Sequence, residues 1–259
     1  MTWSEKRKLS LLGIVFSVIA AAVYIVIHQA VTVAPTCYDN KRNGNEVGVD
    51  CGGSCTFYCK NELAEPKVRW VRTFEITPGI VHAVAYIQHS YPVAGARALR
   101  YQFKIYDEKN TLITERTGST FLGPMGETAI VETLIPVGNV TPAVTRFSFL
   151  PPVPWEKIAP DFSNVVIKTD KYVLEPFTGG TRLTVTLDNK SRYSFTDLDV
   201  VAILYDASGN AITASKVLVP SVTGLSQQTA YFTWPFTIRV PVSRVEVIPR
   251  FNPFTARAL

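Results

Sequence analysis

The sequence predicts a mainly β protein with one N-terminal transmembrane helix, a small disulfide-rich segment and two tandem β-sandwich domains. Three observations predict it. One uninterrupted apolar run lies near the N-terminus, all four cysteines fall in one short stretch after it, and the remainder repeats itself at a spacing near 100 residues. The chain has 259 residues, enough for one or two domains with cores of their own. Beyond residue 67 aromatic and β-branched residues are plentiful and long helical patterns are absent, which favours strands. The net charge is +5, of which Glu5 against Lys6, Arg7 and Lys8 supplies +2 within residues 1–33, leaving +3 for the rest. No Lys/Arg stripe follows, so nucleic acid is not an expected partner.

The run LSLLGIVFSVIAAAVYIVI, Leu9 to Ile27, has only serines as polar breaks. At about 1.5 Å per residue it is roughly 28 Å long as a helix, close to a hydrocarbon core of about 30 Å. Lys6, Arg7 and Lys8 precede it and no comparable cluster follows closely. The positive-inside bias therefore assigns residues 1–8 to a cytoplasmic basic terminus and residues 9–33 to a single-pass signal anchor in the cell membrane, with everything after it exported. Ala20, Ala21 and Ala22 offer a small-residue cleavage tripeptide, but the apolar run continues past them through Ile27, which favours retention of the helix.

Residues 34–65 hold Cys37, Cys51, Cys55 and Cys59. An even number of cysteines clustered in an exported segment too short to bury a core predicts two disulfides, whose pairing has three possibilities. Gly52 and Gly53 permit a tight turn between Cys51 and Cys55. Zinc would favour Cys-x-x-Cys pairs, whereas three residues separate Cys51, Cys55 and Cys59. Asp39, Asn43, Glu46 and Asp50 offer oxygen ligands to calcium, without EF-hand spacing. The pattern of Cys37, Asp39, Asn43, Glu46, Val49, Asp50, Cys51, Gly52, Gly53, Cys55 and Cys59 resembles the short DCGG-type cysteine-rich modules of surface-exposed proteins.

Residues 66–150 and 163–259 read as the two copies, the second carrying a C-terminal tail. Ala83–Ser90 aligns with Thr184–Ser191, Phe103–Asp107 with Ala202–Asp206, and Ile113-Thr114 with Ile212-Thr213. Glu127–Ala129 aligns with Gln228–Ala230, and Arg146 with Arg244. RLTVTLD and VVAILYD mix alternation with short apolar runs, read as strands of sheets buried on one face. Residues 151–162, within which PPVPWEKIAP runs from Pro151 to Pro160, read as a semi-rigid proline-rich linker. FKIYD and AILYD, the latter preceded by DNKSRYSFTDLDV, resemble the signature of the FxLYD-type domain, with Ala202 in place of the expected Phe. That resemblance implies tandem immunoglobulin-like β-sandwich domains of a prokaryotic envelope protein, with no catalytic apparatus. Tyr106 and Tyr205 are expected to pack at strand ends, and Asp107 and Asp206 to cap the turns that follow.

The search for chemistry gives little. Of the three histidines, His28 sits at the helix end, while His82 and His89 are seven apart on a strand and so face opposite ways. GxSxG, HExxH, P-loop and dinucleotide patterns are absent, and GPMG at Gly123–Gly126 reads as a loop. Asn139-Val140-Thr141 and Asn189-Lys190-Ser191 fit the glycosylation sequon, with Pro142 disfavouring the first. Phe232, Trp234 and Phe236 share one strand face opposite Tyr231 and, with Phe251 and Phe254 of the tail, form the expected partner-contact set. The sequence-level expectation is a non-catalytic, membrane-anchored extracytoplasmic binding or scaffold protein with an envelope protein partner. It needs no cofactor, no metal and no identified small-molecule substrate. The alternative is an accessory subunit of an envelope transporter, enzyme or pilus-like assembly, with catalysis in another chain.

Overall fold

A long helix precedes the strands, and the apolar side chains of its window Ser10–Ile27 are exposed. The computed structural model describes residues 3–32, 36–124, 126–151, 153–158, 162 and 165–258. These fall into two compact units, residues 1–55 and 56–259. In the first, α1 spans Trp3–Thr32, and its window Ser10–Ile27 has mean hydropathy 2.6 with none of it buried. The helix starts earlier than the apolar run because Lys and Arg are good helix formers; Arg7 also stacks over the Trp3 ring at 4.7 Å. The expected end of the segment at residue 33 lies outside the described residues. Disulfide bonding is as expected: Cys37 joins Cys55, Cys51 and Cys59 are also oxidised, and no free cysteine remains. Gly52 and Gly53 both take positive φ, and a Cβ at Gly53 would collide with the Asn45 carbonyl oxygen.

In the second unit the first repeat comprises β1 (Lys67–Thr77), β2 (Ile80–His89), β3 (Ala94–Tyr106), β4 (Leu112–Leu122), β5 (Gly126–Pro136) and β6 (Val144–Phe149), followed by the short β7 (Glu156–Lys157). The second comprises β8 (Ile167–Phe177), β9 (Gly180–Asn189), β10 (Tyr193–Tyr205), β11 (Ala211–Val222), β12 (Gln227–Trp234) and β13 (Arg244–Arg250), with β14 (Arg257–Ala258) in the tail. Each repeat is a sandwich of two antiparallel sheets: β1-β2-β5 over β4-β3-β6, and β12-β9-β8 over β11-β10-β13. The first core gathers Ala83, Ala85, Ile87, Phe103, Ile105 and Ile130. The second gathers Leu183, Val185, Leu187, Ala202, Phe232 and Trp234.

Strand pairing shifts the repeat alignment. Ala85 pairs with Ile130 as Val185 pairs with Ala230, so β2 and β5 map onto β9 and β12 at an offset of 100 residues. The sequence match of Ala83 with Thr184, and of Ala129 with Ala230, is one residue out. Because strand side chains alternate, a slip of one exchanges the two faces. The β3/β10 match is in register, with Phe103 and Ala202 both facing a core.

A third apolar cluster joins the repeats. It contains Phe74, Val84, Tyr86, Ala129 and Val131 from the outer face of β1-β2-β5, together with Val201, Ile203, Tyr205, Ala211 and Ala214 from β10 and β11. The two sandwiches are thus stacked sheet on sheet. VVAILYD, expected to bury one face, buries both: Val200 through Leu204 are each 0% exposed. Such an unbroken apolar run is what a strand covered on both sides requires. RLTVTLD on β9 keeps the alternation of a strand covered on one side only.

Two expected boundaries also move. The segment expected to be a semi-rigid proline-rich linker carries β7, which pairs with Ala94 and Gly95 of β3, and Trp155 and Ile158 are buried. Proline stiffens this stretch, but the Trp and Ile between prolines supply apolar area worth burying. Pro152 and residues 159–161 lie outside the described residues. The end of the cysteine segment belongs to the second unit: Tyr58 and Leu63 pack on the first core, and the Ala64 N–H donates to Tyr91 Oη at 2.9 Å.

Candidate functional site

The residues singled out from sequence are largely spent on the fold. Phe232 and Trp234 are fully buried in the second core, against which Phe236 and Phe251 also pack, while Tyr231 on the opposite face is 60% exposed. Phe254 lies under the Arg97 guanidinium at 4.3 Å. The expected partner-contact set is therefore corrected: its aromatic area fills the sandwich and fastens the tail to the chain itself, as large apolar side chains on one strand face do when a sheet covers them.

Of the four calcium candidates, Asp39, Glu46 and Asp50 brace turns through their carboxylates, whereas Asn43 Oδ1 is buried with no hydrogen-bond partner among the described residues. Asp50 accepts the Asp39 and Asn40 N–H groups through its two oxygens at 3.0 and 2.9 Å. Asp39 accepts from the Lys41 N–H and from Asn43 Nδ2, and the Asn43 amide holds its carboxyl below the usual range. Glu46 accepts from the N–H groups of Asn43 and Asp50, and its Oε1 lies 3.3 Å from Cys55 Sγ. Cys37, Glu46 and Cys55 cluster closely enough to hold an ion, but both sulfurs are in the disulfide and so offer no thiolate. Asp107 and Asp206 cap their turns as expected, each accepting two backbone N–H groups, from Lys109 and Thr111 and from Ser208 and Asn210. Arg146 and Arg244 stack on Tyr106 and Tyr205 respectively. Asn189 is buried with its amide donating to the Tyr193 and Thr223 carbonyls, so its sequon is closed.

What the sequence did not point to is the seam between the repeats. A cavity of about 200 Å³ opens there. The first repeat contributes His89 from the end of β2, Phe121 from the end of β4, the Gly123-Pro124 turn, and Glu127 and Thr128 from β5. Met125 in that turn lies outside the described residues. The second contributes Phe162, Val165 and the end of β13 from Ile248 through Phe251. Of the expected contact set, Phe251 lines this cavity.

Two polar groups mark this seam. Arg250, only 6% exposed, donates to Asp199 Oδ2 at 3.1 Å, to Thr120 Oγ1 at 2.7 Å and to the Phe121 carbonyl at 3.2 Å, and lies over the Phe121 ring. Burial pulls its guanidinium down from the ordinary value, and Asp199 opposes that. Beside the cavity Tyr86 Oη donates to Glu127 Oε2 at 2.9 Å and Glu246 Oε1 at 2.7 Å, while Tyr205 Oη donates to Glu246 Oε2 at 2.7 Å. Burial, followed by the carboxylates, pushes both phenols well above their ordinary value, so they remain protonated donors. Arg244 adds an ion pair to Glu246 at 3.1 Å. His89 is 7% exposed, and burial pulls its imidazole down against the Gly123 and Pro124 carbonyls. The sequence signal for this seam was the two-sided apolar run in β10; nothing in the spacing of Arg250, Glu246 or His89 announced their meeting. Comparison with protein-family models and with curated proteins gives no match for the chain.

Proposed function

We propose that the chain is a non-catalytic, membrane-anchored binding or scaffold protein of the cell envelope, with its sandwich repeats on the extracytoplasmic side. The observation that carries this reading is the contrast between a filled β core and an apolar helix window, Ser10–Ile27, that is wholly uncovered. An uncovered apolar surface of this length matches the bilayer thickness. Lys6, Arg7 and Lys8 ahead of the apolar window of α1 and oxidised cysteines after the helix support the same orientation. The resemblance to FxLYD-type immunoglobulin-like domains and to DCGG-type modules supports an envelope setting.

The test is protease and thiol accessibility on intact cells and on cells with any outer barrier opened. A C-terminal tag cleaved from outside, with an N-terminal tag protected and co-sedimenting with membranes, is the expected result. An N-terminal tag lost from the mature protein would show a cleaved leader, and a protected C-terminal tag would show a domain kept inside. Either would overturn the anchored, exported reading. Cross-linking in membranes then identifies the envelope partner by mass spectrometry.

A further inference from the structure

We propose that β12 is an open pairing edge at which a second copy of this chain adds, antiparallel, around a twofold axis at Tyr231. Apart from the two-residue β7 and β14, each sandwich sheet has a central strand and two outer ones. An outer strand presents a row of backbone donors and acceptors on its free side. Seven of the eight outer strands are obstructed there. β1, β4, β5, β6, β8, β11 and β13 each contain at least one charged residue. All of these but β6 also have a proline or a break in register, as with Pro176 and the Lys168/Lys171 shift of β8. Charges, prolines and bulges are the devices that keep an edge from accepting another strand. β12, QQTAYFTW, has none of the three. It pairs with β9 from Gln227 through Trp234 without a shift, and its other side has no backbone partner among the described residues.

The pattern of β12 selects the partner. Set antiparallel to a copy of itself with Tyr231 opposite its counterpart, the strand matches like with like. Thr229 falls opposite Thr233 of the second copy, and Ala230 opposite Phe232 of the second copy. The outer face then carries a Tyr–Tyr pair flanked by two Thr–Thr pairs, while the inner face sets large against small. Aromatic pairs and threonine pairs directly opposite one another stabilise adjoining strands. Tyr231, 60% exposed in the single chain, gains a ring to pack on. The pairing extends β8-β9-β12 into one continuous sheet shared by two copies. It also closes on itself, because each copy spends the same edge.

The experiment uses the full chain in detergent micelles, with mass read by sedimentation over a concentration series. A monomer–dimer equilibrium is expected. Thr229→Lys/Thr233→Lys sets like charges opposite each other on both sides of the axis and is expected to weaken association about tenfold. Thr229→Lys/Thr233→Glu makes both pairs opposite in charge and is expected to return it to within roughly threefold of the parent. A cysteine scan reads the axis itself. Directly opposed residues lie about 5 Å apart, within disulfide reach, so Tyr231→Cys is expected to link two copies on mild oxidation. Thr229→Cys is expected to stay unlinked, its counterpart lying roughly 13 Å along the strand. A monomer at every concentration would overturn the edge, as would a dimer indifferent to the charge pairs or equal linking by the two cysteine variants. The proposal does not depend on the anchored, exported reading: the accessibility test can fail and leave the pairing standing, and the reverse.

Discussion

The same sheet occurs twice in this chain and meets two different fates. In the first repeat the outer face of β1-β2-β5 carries Phe74, Val84, Tyr86, Ala129 and Val131 and is buried against the second repeat. At the equivalent positions of β9 and β12 the second repeat has Thr184, Thr186, Thr229 and Tyr231, and faces solvent. The opposite sheets show the reciprocal change: Val201 and Ile203 of β10, both fully buried, correspond to Gln102 and Lys104 of β3. The inner faces therefore specify a sandwich in each copy, while the outer faces specify one stacking contact and terminate it on both sides. Lys104, ion-paired to Glu115, stands where further stacking would need an aliphatic side chain.

The largest effect should come from giving β10 the residue that β3 carries. Ile203→Lys places an unpaired charge between two sheets and is expected to cost roughly 4 kcal/mol in denaturant unfolding, in line with uncompensated buried charges. Phe232→Ala should cost roughly 3 kcal/mol by opening a cavity in the second core. Its neighbour change Tyr231→Ala, on the outer face, should stay within about 0.5 kcal/mol. Tyr86→Phe removes a hydroxyl shared by carboxylates from both repeats and is expected to cost about 1–2 kcal/mol. A smaller effect is expected with pH. Burial lowers the imidazoles of both His82, bonded to the Ala214 carbonyl across the seam, and His89. With the folded value depressed, their stabilising contribution is complete above the unfolded value of 6.5 and is lost as pH falls through the folded value. The double variant His82→Gln/His89→Gln should thus lose less stability than the parent between pH 7 and pH 5. Least of all, Thr184→Lys on the exposed face should leave stability within about 0.5 kcal/mol of the parent.

Legibility in the sequence follows the same division. The period-two pattern of RLTVTLD showed a half-covered strand, and FKIYD beside AILYD showed a repeat, because core-facing positions repeat their polarity. The outer faces do not repeat theirs, and residue identity (Val84 with Val185, Thr128-Ala129 with Thr229-Ala230) therefore sets β2 and β5 one residue out of the register that strand pairing shows. The unbroken apolar run of β10 carried the clue to stacking and was readable as a strand covered twice. Phe232 and Trp234 looked available because periodicity groups them on one face without saying what covers it. The cavity was illegible for another reason. His89, Glu127 and Arg250 come from three strands of two repeats, and only tertiary contact brings them together.

The stacked outer faces, β1-β2-β5 of the first repeat and β10-β11 of the second, should couple the two repeats into one folding unit. Native-state hydrogen exchange of the full chain across a denaturant series, resolved to peptides of β2, β3, β9 and β10, measures it directly. A common opening free energy is expected for all four strands, splitting into two values in Ile203→Lys. Separate opening energies for the repeats in the parent chain, unchanged by Ile203→Lys, would contradict it.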